Sequence, residues 1–191
     1  MVDLHQTEPG MAPGHPWLAR SRWGIAWRAA LGAIVAGLGV VLAITLFGLL
    51  GGDPVPETTL NLVWFGAPQL LVLTATAAVL GPWLRRYYPF TQALLFSGIA
   101  LAAAFVLAVV IEALARVVDP SVWGAGFFLV LLFAGFPFFL TGAVGYGLAI
   151  WSVTPRGARV FWPLLAGVIL LFAGCWIAAQ LTAASAIAWS P

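Results

Sequence analysis

The chain has 191 residues, of which 63% are hydrophobic and only 7% charged, where a soluble domain carries roughly a quarter charged residues. One water-soluble core of this length cannot hide so much apolar surface, so lipid must solvate much of it. The net charge of +2 is too small to point to nucleic acid, and a lone Cys175 excludes an internal disulfide or a multi-cysteine metal centre.

Residues 1–22 read as a flexible cytoplasmic arm holding Asp3, Glu8, His5 and His15, ahead of one membrane domain over 23–191. The arm lacks the basic start of a secretory signal, and the apolar run behind it is too long for a signal core, so it is expected to be an uncleaved first span. Val2 after Met1 offers no myristoylation site.

A hydrocarbon core of roughly 30 Å takes about 20 apolar residues in a helix. The sequence predicts an all-α, polytopic bundle of five transmembrane helices, with spans near 29–52, 60–84, 90–117, 123–151 and 160–188. Trp23, Trp27 and Arg28 precede the first, and Asp53-Pro54 closes it. The second contains Pro68 and ends at Gly81-Pro82-Trp83 before Arg85-Arg86. Tyr87-Tyr88-Pro89 opens the third, which finishes over Glu112 to Asp119. Pro137 interrupts the fourth. The fifth is expected to carry Pro163 in its first turn, where a missing N–H costs little.

Charge sets the expected orientation. Seven of the eight arginines (Arg20, Arg22, Arg28, Arg85, Arg86, Arg156 and Arg159) fall on one side with Asp3 and Glu8, giving +5; Arg116 falls on the other with Asp53, Glu57, Glu112 and Asp119, giving −3. Short loops rich in arginine stay in the cytoplasm. The N-terminus is therefore expected inside and the C-terminus outside. Aromatic residues gather at the span ends as interfacial belts do: Trp23, Trp27, Trp83, Tyr87, Tyr88, Trp151 and Trp162 at the inner side, Trp123 and Trp189 at the outer. Arginine without lysine, with abundant Ala and Gly, fits a GC-rich bacterial coding bias and a multi-pass protein of the inner membrane.

Helices in lipid associate through small residues and interhelical hydrogen bonds. Two candidate packing faces stand out, Ala29–Ala33–Gly37 on the first span and Ala100–Ala104–Ala108 on the third. Further small residues line the fourth (Gly142, Gly145, Gly147) and fifth (Gly174, Ala178, Thr182). More small-residue faces exist than a five-helix bundle can use, so Ala29–Ala33–Gly37 is expected to meet a partner or a second copy. Continuing the third-span row by four reaches Glu112, and by four more Arg116, the favourable order for an intrahelical pair. Glu112 is then either a self-neutralised partner of Arg116 or an ion or proton site; the ready partner favours the first reading. Gln69 and Gln180 lie at similar depth. They either join Glu112 and Arg116 in one polar cluster or make separate hydrogen bonds.

The spans hold no histidine, no nucleophile–base pair and no phosphate-binding loop, so no catalytic site, cofactor or metal is expected. The leading reading is a non-catalytic integral-membrane subunit or assembly partner of a larger complex. Its partners would be membrane lipids and another integral membrane protein or a second copy. The alternative is a small-solute, ion or lipid transporter or channel component, using Glu112 and a fourth helix kinked at Pro137.

Overall fold

The computed structural model describes the backbone of residues 11, 14–51, 55–119 and 125–188, and the side chains of residues 11, 14–46, 66, 68–119 and 135–177. Its five helices are α1 (Arg22–Gly51), α2 (Val55–Leu84), α3 (Pro89–Val118), α4 (Ala125–Trp151) and α5 (Pro155–Ala188). Among the described residues three stretches are long and apolar enough to cross a membrane: Arg22–Leu46, Pro89–Val118 and Pro155–Ile177. The described parts of α2 and α4 supply shorter apolar stretches, Pro68–Leu84 and Gly135–Trp151.

The helix starts follow from local chemistry. Ser21 Oγ accepts the backbone N–H of Gly24 at 3.1 Å, satisfying one of the free donors at the start of α1. Thr154 does the same for α5, accepting from Gly157 N at 3.0 Å. Pro89 and Pro155 occupy first helical positions, where proline has no bond to lose. Because the Thr154 cap starts α5 at Pro155, Pro163 lies inside the helix rather than in its first turn.

Helices α1, α2, α3 and α4 form a ring in which each packs on the next and α4 closes onto α1. Helix α5 stands outside the ring, packed chiefly on α1. The small cluster that ties it there joins Leu31 and Val35 to Phe161 and Leu165. Among the described residues of α5, 11% of the apolar stretch Pro155–Ile177 is buried, against 39% for that of α1.

The α1–α4 crossing is the tightest in the ring. A Cβ on Gly32 would collide with the Gly145 carbonyl oxygen, and a Cβ on Gly145 would lie 2.7 Å from Ala33 N. Backbones approach this closely only where side chains are missing. This crossing accounts for the first small-residue face. Ala29 and Ala33 are buried, and a Cβ on Gly37 would meet Thr141 Cγ2 on α4 at 3.7 Å. The expectation that Ala29–Ala33–Gly37 meets another protein is therefore corrected, because α4 of the same chain occupies it. On α3, Ala100 and Ala108 are buried and Ala104 is half-buried against the core.

At one end of the ring α1, α3 and α5 begin and α2 and α4 finish; the arginines Arg22, Arg28, Arg85, Arg86, Arg156 and Arg159 collect there. We refer to it as the arginine end. The chain ahead of α1 folds back onto it. Gly14, at φ +85°, makes the turn that a residue with a Cβ would resist. Leu18 N then bonds His15 O at 2.9 Å, and Trp17 is driven into the ring at 0% exposure.

Candidate functional site

Of the residues singled out by sequence, the structure joins Glu112 and Arg116. Arg116 donates to Glu112 Oε1 at 2.5 Å across one turn of α3, with the carboxylate side chain 18% exposed and the guanidinium 58%. The pair is contained within one helix. Gln69 on α2 is half-buried, and no hydrogen bond joins it to Glu112 or Arg116 among the described residues. The side chain of Gln180 lies outside the described residues. Around the pair, Ile111, Leu114, Val117 and Val118 are exposed apolar side chains.

Polar groups converge instead at the arginine end. Arg28, half-buried on α1, donates from one terminal nitrogen to Ser152 O at 3.2 Å and to Ser152 Oγ at 3.0 Å. Ser152 Oγ in turn donates to Ala149 O at 2.8 Å, so the hydroxyl is oriented to receive the guanidinium. This chain fastens α1 to the end of α4. Arg85, just after α2, donates to Leu18 O at 2.7 Å and to Arg20 O, gripping the folded-back segment by its backbone. Charge-assisted bonds of this kind are about twice as strong as neutral ones.

Beneath that grip sits an aromatic plug. Phe96 and Tyr146 stack with ring centroids 4.3 Å apart, and Trp17 meets Tyr146 edge-on at 5.7 Å. All three side chains are fully buried. One turn before Phe96 on α3, Gln92 is also fully buried and donates Nε2 to Tyr87 O at 2.7 Å. Ser97 adds an interhelical bond from its hydroxyl to Phe139 O on α4.

Four buried polar atoms here have no hydrogen-bond partner among the described residues: Trp17 Nε1, Arg85 Nε, Gln92 Oε1 and Tyr146 Oη. The Trp17 indole and the Arg85 guanidinium both lie toward the Tyr146 hydroxyl, the indole close enough to pair with it after a small shift. Leaving one such group buried and unpaired costs about 1–3 kcal/mol. No family model matches this chain, and no curated protein or solved structure does either. Any function must be read from the arrangement itself.

Chemically, the arrangement binds and fastens. Among the described residues it holds no carboxylate, no nucleophile beside a base, and no group of three metal-ligating side chains. Sequence reasoning passed over Trp17, Arg28, Arg85, Gln92, Tyr146 and Ser152 as a site. One signal for it was present. Gln92 and Phe96 continue the Ala100–Ala104–Ala108 row toward the start of α3, in the direction opposite to Glu112.

Proposed function

We propose that this is a five-span integral membrane protein with its arginine end in the cytoplasm, acting as a non-catalytic subunit or assembly partner in the bacterial inner membrane. The observation that carries the reading is the surface of α5. Gly167 and Gly174 each have open space where a Cβ would be, on a helix whose described core attachment is Phe161 and Leu165 near its start. Lipid does not require glycine, which destabilises a helix interior by roughly 0.5–1 kcal/mol relative to alanine. Close approach of another helix does require it. The interior argues the same way, since aromatic rings rather than a lined passage fill the arginine end of the ring. Of the α4 glycines that would let the helix flex in a transporter, Gly142 and Gly145 are used in packing against Ser97, Leu73 and Ala33, while Gly147 has open space where a Cβ would be.

Native mass spectrometry from lipid nanodiscs tests the reading. A stoichiometric complex with a second membrane protein, or a defined oligomer, is the expected outcome. A monodisperse monomer under those conditions would remove its support.

A further inference from the structure

We propose that the arginine end carries a binding site for the phosphate of an anionic phospholipid, held between the guanidinium groups of Arg20 and Arg28. The site rests neither on the subunit reading nor on which face of the membrane this end occupies.

Charge at this end is uncompensated. Seven of the eight arginines belong to it, and setting Asp3 and Glu8 of the arm against them still leaves +5. The described carboxylates, Glu112 and Asp119, both lie toward the far end of α3. Glu112 is roughly 35 Å along the helix from Pro89 at 1.5 Å per residue. Exposed charges act over only about 8 Å at physiological salt.

Two of these arginines are brought together. Arg20 lies ahead of α1 and Arg28 within it, near enough for their charges to repel. Like charges at close range weaken a fold unless an anion lies between them. Both residues are nonetheless fixed in place. Arg85 grips the Arg20 carbonyl, adding a third positive charge beside it. Ser152 accepts twice from one terminal nitrogen of Arg28. The Nε and second terminal nitrogen of Arg28 make no hydrogen bond among the described residues, and neither does the exposed side chain of Arg20. The free planar edge of Arg28 matches two phosphate oxygens, which is how guanidinium groups take phosphate bidentately.

Depth selects a lipid over a soluble anion. Arg28 is about 9 Å along α1 from Arg22, and the headgroup layer beside the hydrocarbon is about 5–7 Å deep. A helix that enters the headgroups at Arg22 brings Arg28 to the base of that layer. Trp23 and Trp27 are exposed on the same stretch of α1, and tryptophan rings settle at headgroup level. Basic sites between helices at this depth hold anionic headgroups.

The test titrates phosphatidylglycerol into the full chain in a neutral detergent, with phosphatidylcholine of the same acyl chains as reference, and reads binding by native mass spectrometry. The first phosphatidylglycerol should bind at least about tenfold tighter than phosphatidylcholine, the factor for one charge-assisted hydrogen bond. Arg20→Gln keeps the backbone carbonyl that Arg85 uses and should cost about tenfold in that affinity. Arg28→Lys keeps the charge but loses the planar edge, and should cost about fivefold. Arg159 belongs to the same end but lies on the far side of α5 from the Phe161 contact with α1. Arg159→Gln should therefore stay within about twofold of the parent. Equal affinity for the two lipids, equal losses in Arg20→Gln and Arg159→Gln, or unchanged binding in Arg20→Gln or Arg28→Lys would overturn the proposal. Displacement of the lipid by millimolar inorganic phosphate would overturn it too, since the site would then take a soluble anion. Should Arg28→Lys fail to fold, the comparison of Arg20→Gln with Arg159→Gln decides.

Discussion

Gly32 on α1 and Gly145 on α4 meet backbone to backbone, so that a Cβ on either would run into the main chain of the other helix. Backbone cannot move aside as a flexible side chain can. Gly32→Leu and Gly145→Leu should therefore each cost about 3 kcal/mol or more, at or beyond the upper range for overpacked interiors. Gly39→Leu, where nothing lies within 4 Å of the added Cβ, should leave the melting temperature in detergent nearly unchanged. Equal melting temperatures for the Gly32 and Gly39 variants would show that the α1–α4 crossing is not what holds the ring.

The third helix shows how far sequence alone reached. The row at spacing four was legible from Ala100 to Arg116 because small residues repeat there and end in a charged pair. Its other half, Phe96 and Gln92, is where the buried polar chemistry lies. A lone glutamine near a helix start carries no pattern until Tyr146 and Trp17 are placed beside it. Nor could composition reveal Trp17 as a core residue. A tryptophan close to the first span reads as an interfacial anchor, and only the turn at Gly14 sends it into the ring. Helix number, by contrast, depends on local apolar length and proline, which a single chain displays openly, whereas the start of α5 is set by the Thr154 cap and falls earlier than apolar length alone implies.

Glu112 and Arg116 neutralise each other within one helix, and the arginine is more than half exposed. A pair of this kind contributes about 0.3–0.5 kcal/mol. Glu112→Gln should then shift stability by less than about 1 kcal/mol, because an amide can still accept from Arg116. Chemical denaturation of the purified variant checks this. Loss of a transport activity in Glu112→Gln, with assembly intact, would move the balance to the transporter reading.

Arg28 and Ser152 couple α1 to the end of α4 through two hydrogen bonds from one guanidinium nitrogen. Ser152→Ala removes the hydroxyl acceptor but leaves the backbone carbonyl, so it should cost about 1 kcal/mol. Arg28→Met keeps most of the apolar stem while removing both bonds and should cost more. In a double-mutant cycle the two changes should be non-additive by at least about 0.5 kcal/mol. Full additivity would mean that Arg28 acts through packing alone.

Orientation can be read with reporter fusions. Under the proposed topology, the arginines that collect at one end of the ring, on short loops, put that end on the cytoplasmic side by the positive-inside rule. Fusions after Arg86 and after Arg159 should report cytoplasmic, and fusions after Glu57 and Pro191 external. An inverted pattern, or an even number of crossings, would refute the topology.

The α5 surface separates internal packing from association. Gly37 faces Thr141 of the same chain, so Gly37→Leu should lower the stability of the ring without changing which species the protein forms. Gly167 and Gly174 face open space on a helix whose apolar stretch is 11% buried. A Cβ at either position meets nothing described within 4 Å, so a leucine there should leave the melting temperature of the isolated protein within a few degrees of the parent. If another helix packs there at glycine distance, the same leucine holds the two backbones apart and removes the close contact on which association in lipid depends. Gly174→Leu should then convert the complex expected in nanodiscs to the free five-helix protein, and Gly174→Ala should weaken it less. If Gly174→Leu and Gly167→Leu both leave the complex intact, α5 is a lipid-facing helix and the interface lies elsewhere.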